Sequence, residues 1–554
     1  MSKLISPNSI FAQILANRGL TSSEQVEHFL HPKYERDQAD PFLLTDMNLA
    51  VARISVAIEA GEDIVIYGDY DIDGLTASVV MLETLRAMGG RARSYIPDRF
   101  EEGYGINLAA LKKLKKQGCS LVVSVDCGIT SKSEIAWAMG HGLDVIVTDH
   151  HAVPTELPEA VAVVNPKRVG DKYPFKDLAG VGVAFKLICA LQIEGRAHGR
   201  DLFQSGQEKW LLDLVALGTV CDVVSLTGEN RVLAHYGLMV MQKTRRPGLI
   251  ALAGVAEVSL AQLRAYHLGF VFGPRLNAAG RLEHAAKSLE LLMTDDPKVA
   301  SQVAEQLNAL NRQRQSDQQR IVEEATEQAK HFSDDVILVL ANKSWSHGIV
   351  GIVASKLVEK YHKPTLVMQV LGETAKGSAR SIGDYNMVES LRATEALLIR
   401  HGGHHFAAGY TLNTKDIDLL RRTLNANARA QGITTEFEAQ VHYDVELEDF
   451  TYLDYALYEL LVLLEPLGSG NPKPLFKITS LTISTLRWVG QSANHAKLTL
   501  SDSVNQSFSA IFFNAKEKFP DIVEGGDYGA ICQLDNNEFN GNSSLQLIIE
   551  QFSE

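Results

Sequence analysis

Four times the chain runs from an apolar stretch into an aspartate: IVIYGDYDIDG (Asp69, Asp71, Asp73), LVVSVDCG (Asp126), DVIVTDHH (Asp149, then His150 and His151) and GTVCDVV (Asp222). From Leu49 onward, helical stretches, among them WLLDLVALG before the turn at Cys221 and Asp222, alternate with these runs and with AVAVVN at Ala160. That alternation predicts an α/β fold with a parallel sheet. Short Val- and Ile-rich runs followed by polar or glycine-containing sequence are typical of strands covered on both faces by crossover helices. A doubly wound sheet is therefore expected. In open parallel sheets the carboxyl ends of the strands face one crevice, so acids ending separate strands should meet there. Within GDYDIDG, alternate positions of an extended segment point the same way, which brings Asp69, Asp71 and Asp73 together.

Carboxylates crowded in a cleft repel one another unless cations sit among them, and hard oxygen ligands suit Mg2+ or Mn2+. Aspartates joined by a histidine fit a pair of divalent ions roughly 3.5 to 4 Å apart, which can clamp a phosphoryl group and activate a water. Hydrolysis of a phosphorus ester is the reaction expected. A solvated acidic turn would explain one such stretch; it does not explain four. Cys127 and Cys221 adjoin Asp126 and Asp222, but neighbouring strand residues face opposite sides, so both are expected to pack. Gly180 and Gly182 complete neither GxxxxGK[ST] nor GxGxxG, a weak signal for a nucleotide loop.

At 554 residues the chain exceeds what one core organises. The expected divisions are residues 1–48, packing on the catalytic domain; 49–235, the catalytic domain; 236–332, a substrate loop and long helical connector; 333–430, a second α/β domain; and 431–554, a β-barrel. The connector is read from SQVAEQLNALNRQRQSDQQRIVEEATEQAKHF, with Val303, Leu307, Leu310, Ile321 and Ala325 near helical spacing. DVILVLAN, the helix-like IVGIVASKLVEKY, PTLVMQV and the glycine-rich HGGHHFAAG make up the second α/β domain. FKITSLTIS, AKLTLSD, SFSAIFF and SLQLIIEQF predict a small closed barrel, OB-like in type.

The net charge of -14 argues against a broad basic face for duplex DNA, so nucleic-acid contacts would need segregated Lys and Arg. No apolar run reaches the roughly 18 residues of a membrane span, and no export signal is read at the start. Five scattered cysteines without a CxxC pair fit a reducing compartment. We expect a cytoplasmic monomer with no membrane contact.

The order DYDIDG, VDCG, DHH and a later Asp after a GT turn resembles the motifs of the DHH phosphoesterase superfamily. Within it PDRFEEGYGIN at Pro97, FGPRLNAAGR at Phe272, SHGIVGIVASKL at Ser346, GSARS at Gly377, GGHHFAAG at Gly402 and GSGNPKPLF at Gly468 resemble the RecJ exonucleases in particular, over nearly the whole chain. CDVVSL departs from the pattern, lacking a small residue and a proline around Asp222. The resemblance implies a DHH domain, a linking helix, a DHH-associated domain and an OB-fold. It implies two Mn2+ or Mg2+ ions held by Asp71, Asp73, Asp126, His150 and Asp222, with Asp126 and Asp222 bridging. Asp69 and Asp149 would stand beside the ions, and His151 would contact the scissile phosphate. The implied activity is 5′ to 3′ hydrolysis of single-stranded DNA in repair and recombination, alongside a helicase and a single-strand-binding protein.

From the residues themselves, Arg275, Asn277 and Arg281 of a GPRLNAAGR loop, with Ser378 and Arg380 of GSARS, are donors suited to phosphates. By the resemblance, Arg99, Ser378 and Arg380 hold a terminal 5′ phosphate, and His404 and His405 touch the strand near the site. Trp488, Lys497 and one of Phe512 and Phe513 are candidate barrel contacts to a single strand. Two other readings compete: a phosphatase of short oligonucleotides or small phosphates, which would not need the barrel, and a non-catalytic scaffold, which would not need every ligand.

Overall fold

The computed structural model describes residues 6–99, 102–103, 105–199, 206–433, 442–490, 492–539 and 542–553. Phe100, Glu101 and Tyr104 of PDRFEEGYGIN lie outside them. Met1–Gly273 together with Val441–Glu554 form one compact unit, and Pro274–Gln440 form another.

The first unit contains a five-stranded parallel sheet of β1 (Asp63–Gly68), β2 (Arg91–Tyr95), β3 (Leu121–Val125), β4 (Asp144–Thr148) and β5 (Ala162–Val164), in the order β2-β1-β3-β4-β5. Val65, Tyr67, Val122, Val145 and Val147 pack beneath helices Leu108–Lys116 and Lys132–Gly140, while helices Ile72–Ala87 and Gly180–Ala197 cover the other face. The chain order reverses between β1 and β3, so Asp69 and Asp126 follow the two strands that flank the switch point, where ligands bind in such sheets. The doubly wound reading holds, but GTVC is no strand of the sheet and one strand comes from a stretch that no apolar run announces. RARSY forms β2, a sheet edge with Arg91 exposed, so it lacks the apolar character of a doubly covered strand.

Asp222 does not end a strand. It caps the carboxyl end of helix Leu212–Cys221, whose residues Leu212 to Thr219 are all buried. A helix buried all round is as uniformly apolar as a buried strand, so periodicity cannot separate them. Likewise β1 stops at Gly68, Asp71 caps helix Ile72–Ala87 and Asp73 lies in its first turn. The acids of GDYDIDG are gathered by a strand-to-helix turn rather than by strand alternation.

The barrel consists of β12 (Phe476–Val489), β13 (His495–Ser501), β14 (Ser507–Phe512), β15 (Asp527–Phe539) and β16 (Asn542–Ser553). They pair in the order β12-β13-β14-β16-β15, and β15 closes back on β12. β11 (Val445–Leu447) adds at its edge. The amino-terminal segment divides its packing instead of lying wholly on the catalytic domain. Ile10, Phe11, Ile14, Leu15 and Phe29 enter the barrel core, whereas Gln38 accepts from Lys186 (3.2 Å) and the Thr45 N–H donates to Asp171 (2.7 Å).

Arg231, 2 % exposed, ties helix Gly228–Met241 to the barrel region. Its guanidinium donates to the carbonyls of Phe29 (2.7 Å), Leu463 (3.2 Å), Leu464 (2.8 Å), Glu465 (2.8 Å) and Pro466 (3.3 Å). Several of these carbonyls follow the last turn of helix Tyr455–Val462, where no intrahelical donor reaches them. Arg231→Met should strand the carbonyls of Phe29, Leu463 and Glu465, those of Leu464 and Pro466 keeping their bonds from Asn471, at a loss of about 3 kcal/mol, and Arg231→Lys should not restore the fork. A calorimetric midpoint unchanged by Arg231→Met would refute this clamp.

In the second unit β6 (Leu338–Asn342), β7 (Thr365–Leu371), β8 (Thr374–Arg380), β9 (Leu398–Gly403) and β10 (Ala407–Asn413) pair in the order β6-β7-β8-β10-β9. The connector is helix Pro297–Ala329, 33 residues long and about 50 Å in length at 1.5 Å per residue. The GPRLNAAGR stretch, expected as a loop, is helix Gly273–Leu282, preceded by short helices rather than by a substrate loop. Its proline comes just after a π turn, Leu268–Phe272, within one unbroken helical run, and Leu276, Ala278 and Ala279 are buried. Among the described residues no helix is long and apolar enough to cross a membrane.

Candidate active site

The acids come from four separate stretches of the chain, and backbone donors fix Asp71, Asp73 and Asp149. Asp71 accepts from the Gly74 N–H at 3.1 Å as a helix cap. Asp73 accepts from the N–H groups of Gly180 (2.6 Å) and Val181 (2.8 Å), which open helix Gly180–Ala197. Asp126 follows β3 at φ +60°, and its N–H donates to the Thr148 carbonyl at 3.0 Å. Asp149 accepts at one oxygen from the Ile129 N–H (2.9 Å), and at the other from the His150 N–H (2.7 Å), the His151 N–H (3.0 Å) and the His151 Nδ1 (2.8 Å).

The side chains converge. His150 Nε2 lies 3.1 Å from Asp126 Oδ1, 3.6 Å from Asp222 Oδ2 and 3.9 Å from Asp73 Oδ2, and His151 Nδ1 lies 3.8 Å from Asp126 Oδ1. Three sets of ligand atoms each fall within 4.8 Å: Asp126, His150 and His151; Asp73, His150 and Asp222; Asp69, Asp71 and Asp126. Asp126 and His150 are common to two sets. The resemblance implies Asp126 and Asp222 as the shared pair; here Asp222 belongs to one set.

Burial makes this cluster unfavourable without cations. Asp69, Asp73 and Asp126 are at most 4 % exposed. Burial, reinforced by the Asp71 charge, pushes the Asp73 carboxyl up to about 7. Burial, then the Asp73 and Asp71 charges, takes Asp222 up to about 9, and burial with neighbouring carboxylate charge raises Asp69 and Asp126 well above the carboxylate range. Asp222 also stands at the negative end of a helix. Burial drives His150 down to about 3, leaving a neutral imidazole able to ligate. Burial alone would raise Asp149, but the His151 ring and the backbone N–H groups outweigh it and hold this carboxylate ionised. Against the same burial, Asp149 raises His151. Asp69 Oδ1, Asp126 Oδ1 and His150 Nε2 are buried without hydrogen-bond partners. Oxygen donors, one neutral imidazole and orphaned ligand atoms fit hard divalent cations.

The remaining candidates are spread over both units. Arg99 lies over the Tyr70 ring at 5.0 Å and favours the charged form of Asp69. In the second unit Arg275 donates to Asn308 (3.1 Å), Arg281 approaches the Gly348 carbonyl (3.4 Å), and Asn277 is half-buried on the same helix. Arg380 donates to Ser378 Oγ at 2.8 Å, and both lie against Gly351 in the first turn of helix Val350–Tyr361. His404 and His405 occupy the turn between β9 and β10, where the His405 carbonyl accepts from the Met387 N–H. In the barrel Phe512 is buried and Phe513 is 47 % exposed; Lys497 is exposed, and Lys516 lies 5.0 Å from the Trp488 ring. Cys127 is buried and Cys221 Sγ donates to the Leu268 carbonyl, so both thiols pack.

Sequence reasoning passed over four contributors. Gly180 and Val181 anchor Asp73, and a Cβ on Gly180 would stand 2.5 Å from Asp126 Oδ1. Asn165, fully buried, donates to the His151 carbonyl at 3.0 Å. The lone signal was a polar residue ending an apolar run, the same signal the acids carry. Lys167, exposed nearby, favours the ionised form of Asp222.

Residues 63–219 match the DHH family N-terminal domain, 334–430 the DHHA1 domain and 443–551 the RecJ OB domain. The chain is 39% identical over 548 residues to the single-stranded-DNA-specific exonuclease RecJ of Bacillus subtilis (strain 168), covering 98% of this chain and 67% of that one. It is 35% identical to the protein of the same name from Dickeya dadantii (strain 3937), covering 98% and 95%. The crystal structure of RecJ in complex with Mn2+ from Thermus thermophilus superposes with a TM-score of 0.83 at 28% identity, over 98% of this chain and 76% of that one.

Proposed function

This chain belongs to the RecJ family of single-stranded-DNA-specific exonucleases, and on that premise we propose that it removes nucleotides from single-stranded DNA in the 5′ to 3′ direction with two divalent cations. The observation that supports this best is the overlap of three ligand sets, built from acids and imidazoles that would otherwise be a buried, repelling cluster. We assign Asp71, Asp73, Asp126, His150 and Asp222 to the cations, with Asp69 and Asp149 beside them. When bound, Mn2+ or Mg2+ draws charge from the phosphoryl group and acidifies a water molecule.

The chain's own groups preorganise that chemistry. Gly180 and Val181 hold both Asp73 oxygens, so its carboxylate need not reorganise. Asp149 grips the His151 Nδ1 and fixes the orientation of an imidazole suited to donate to a phosphate oxygen. In the other unit, the Ser378 hydroxyl and the Arg380 guanidinium at a helix amino terminus suit a terminal phosphate. Five unpaired thiols and a DNA substrate fit the cytoplasm. A helicase and a single-strand-binding protein are proposed partners on the family's account alone, as is a part in repair and recombination.

A time course on end-labelled single-stranded and duplex oligonucleotides with Mn2+ tests this. A 5′ label should appear at once as mononucleotide, a 3′-labelled strand should shorten gradually, duplex should resist, and EDTA should stop all cleavage. Faster hydrolysis of a dinucleotide than of the long strand would refute the exonuclease in favour of a small-substrate phosphatase.

A further inference from the structure

Beside the acids, the first unit carries a feature that neither the cations nor the fold accounts for. The helical run 265–272, a short α turn followed by a π turn from Leu268, buries Leu268 and Phe272 completely. The opposite face would be expected to be polar, yet it carries Tyr266 and Phe270, 59 % and 71 % exposed. Their rings lie 5.1 Å apart at an interplanar angle of 23°, a stacked pair presenting a flat apolar surface to solvent.

The position of this run is set by residues that flank the acids. Cys221, which precedes Asp222, donates its thiol to the Leu268 carbonyl at 3.3 Å. A Cβ on Gly273 would meet Cys221 Sγ at 2.9 Å and Ile72 Cδ1 at 3.5 Å, and Ile72 sits between Asp71 and Asp73. Val223, following Asp222 at φ +63°, is 70 % exposed, a further uncovered apolar side chain next to an acid. Arg264, exposed one turn away, makes no ion pair among the described residues. An uncovered aromatic pair, on a run packed against the residue before Asp222 and preceded by an exposed cation, has the chemistry of a single-strand contact: bases stack on rings regardless of identity while cations meet phosphates. π turns are frequent at functional sites because they re-aim side chains.

We propose that Tyr266 and Phe270 form a platform on which a nucleobase of the substrate strand stacks while the neighbouring phosphodiester is presented to the acids. This rests on the exonuclease reading and deepens it. The pair positions the strand and takes no part in bond making, so its contribution should vanish when the base is absent.

The test uses the full chain with Mn2+, the Phe270→Ala and Phe270→Trp variants, and two oligonucleotides of equal length, one intact and one with a run of abasic tetrahydrofuran residues from its 5′ end. Stacking of about 1–3 kcal/mol per base predicts that Phe270→Ala lowers kcat/KM on the intact strand about tenfold, chiefly through KM, and that Phe270→Trp restores it. On the abasic strand the unsubstituted chain should slow by a similar factor and Phe270→Ala should slow no further. Equal losses for Phe270→Ala on both strands, or no loss on the intact one, would overturn the platform. Absence of Mn2+-dependent cleavage by the unsubstituted chain would overturn both it and the nuclease reading.

Discussion

Asp126→Asn is expected to reduce hydrolysis of single-stranded DNA by at least about a thousandfold while leaving the chain folded. Asp126 belongs to two of the three ligand sets, so losing its charge weakens both. Asparagine is the informative replacement because residue 126 has φ +60°, a left-handed conformation that Asn adopts readily and Ala does not. The backbone N–H bond to Thr148 is kept as well. A second expectation runs the other way. With EDTA present, the variant should melt a few degrees higher than the wild type, because one member of a buried set of like charges has gone, a gain on the order of 1 kcal/mol. Rates in Mn2+ and melting curves in EDTA check both. A variant that turns over normally, or melts lower in chelator, would contradict this account of the cluster.

Gly180→Ala should be nearly as damaging although it removes no ligand. The new methyl group would stand 2.5 Å from Asp126 Oδ1 and 2.6 Å from Asp126 Cβ. Relief by shifting helix Gly180–Ala197 would pull the Gly180 and Val181 N–H groups away from Asp73. Displacements of about 1 Å at a reacting centre commonly cost on the order of a hundredfold, so kcat/KM should fall by at least that factor. Gly182→Ala is the control. Its Cβ would meet Leu178 at 3.4 Å, an ordinary contact, and alanine favours a helix interior. Near-normal activity for Gly182→Ala and severe loss for Gly180→Ala is the predicted contrast; equal effects would mean that the close approach to Asp126 is unimportant.

These two glycines also show where sequence reading reaches its limit. Asp69, Asp126 and Asp149 are legible because each follows a short β-branched run, a local pattern that reports a strand end directly. Asp222 reads into the right crevice: WLLDLVALG is legible as a helix, but GTVC reads as a strand end although it is the last turn of that same buried helix, since so short an apolar run has no period to tell the two apart. The part of Gly180 in the site is non-local. Nothing within the Gly-Val-Gly stretch tells that a carboxylate, 107 residues earlier, accepts from its N–H groups. The second unit is harder to read: Ser378 and Arg380 lie on β8, where a glycine and alternating polar residues hide the strand, and GPRLNAAGR has the glycines and proline of a loop although it forms a helix. The barrel is clearer because inward Leu, Ile and Phe alternate with outward Thr, Ser and Lys along β12 and β13.

The central claim is that acids and an imidazole from separate elements share bound divalent cations. Calorimetric titration of Mn2+ into the metal-free chain and into Asp126→Asn tests it most directly. The expected result is saturable uptake of about two ions per chain by the wild type, with at least one lost or greatly weakened in the variant. Identical uptake by both proteins, or none by the wild type, would contradict it.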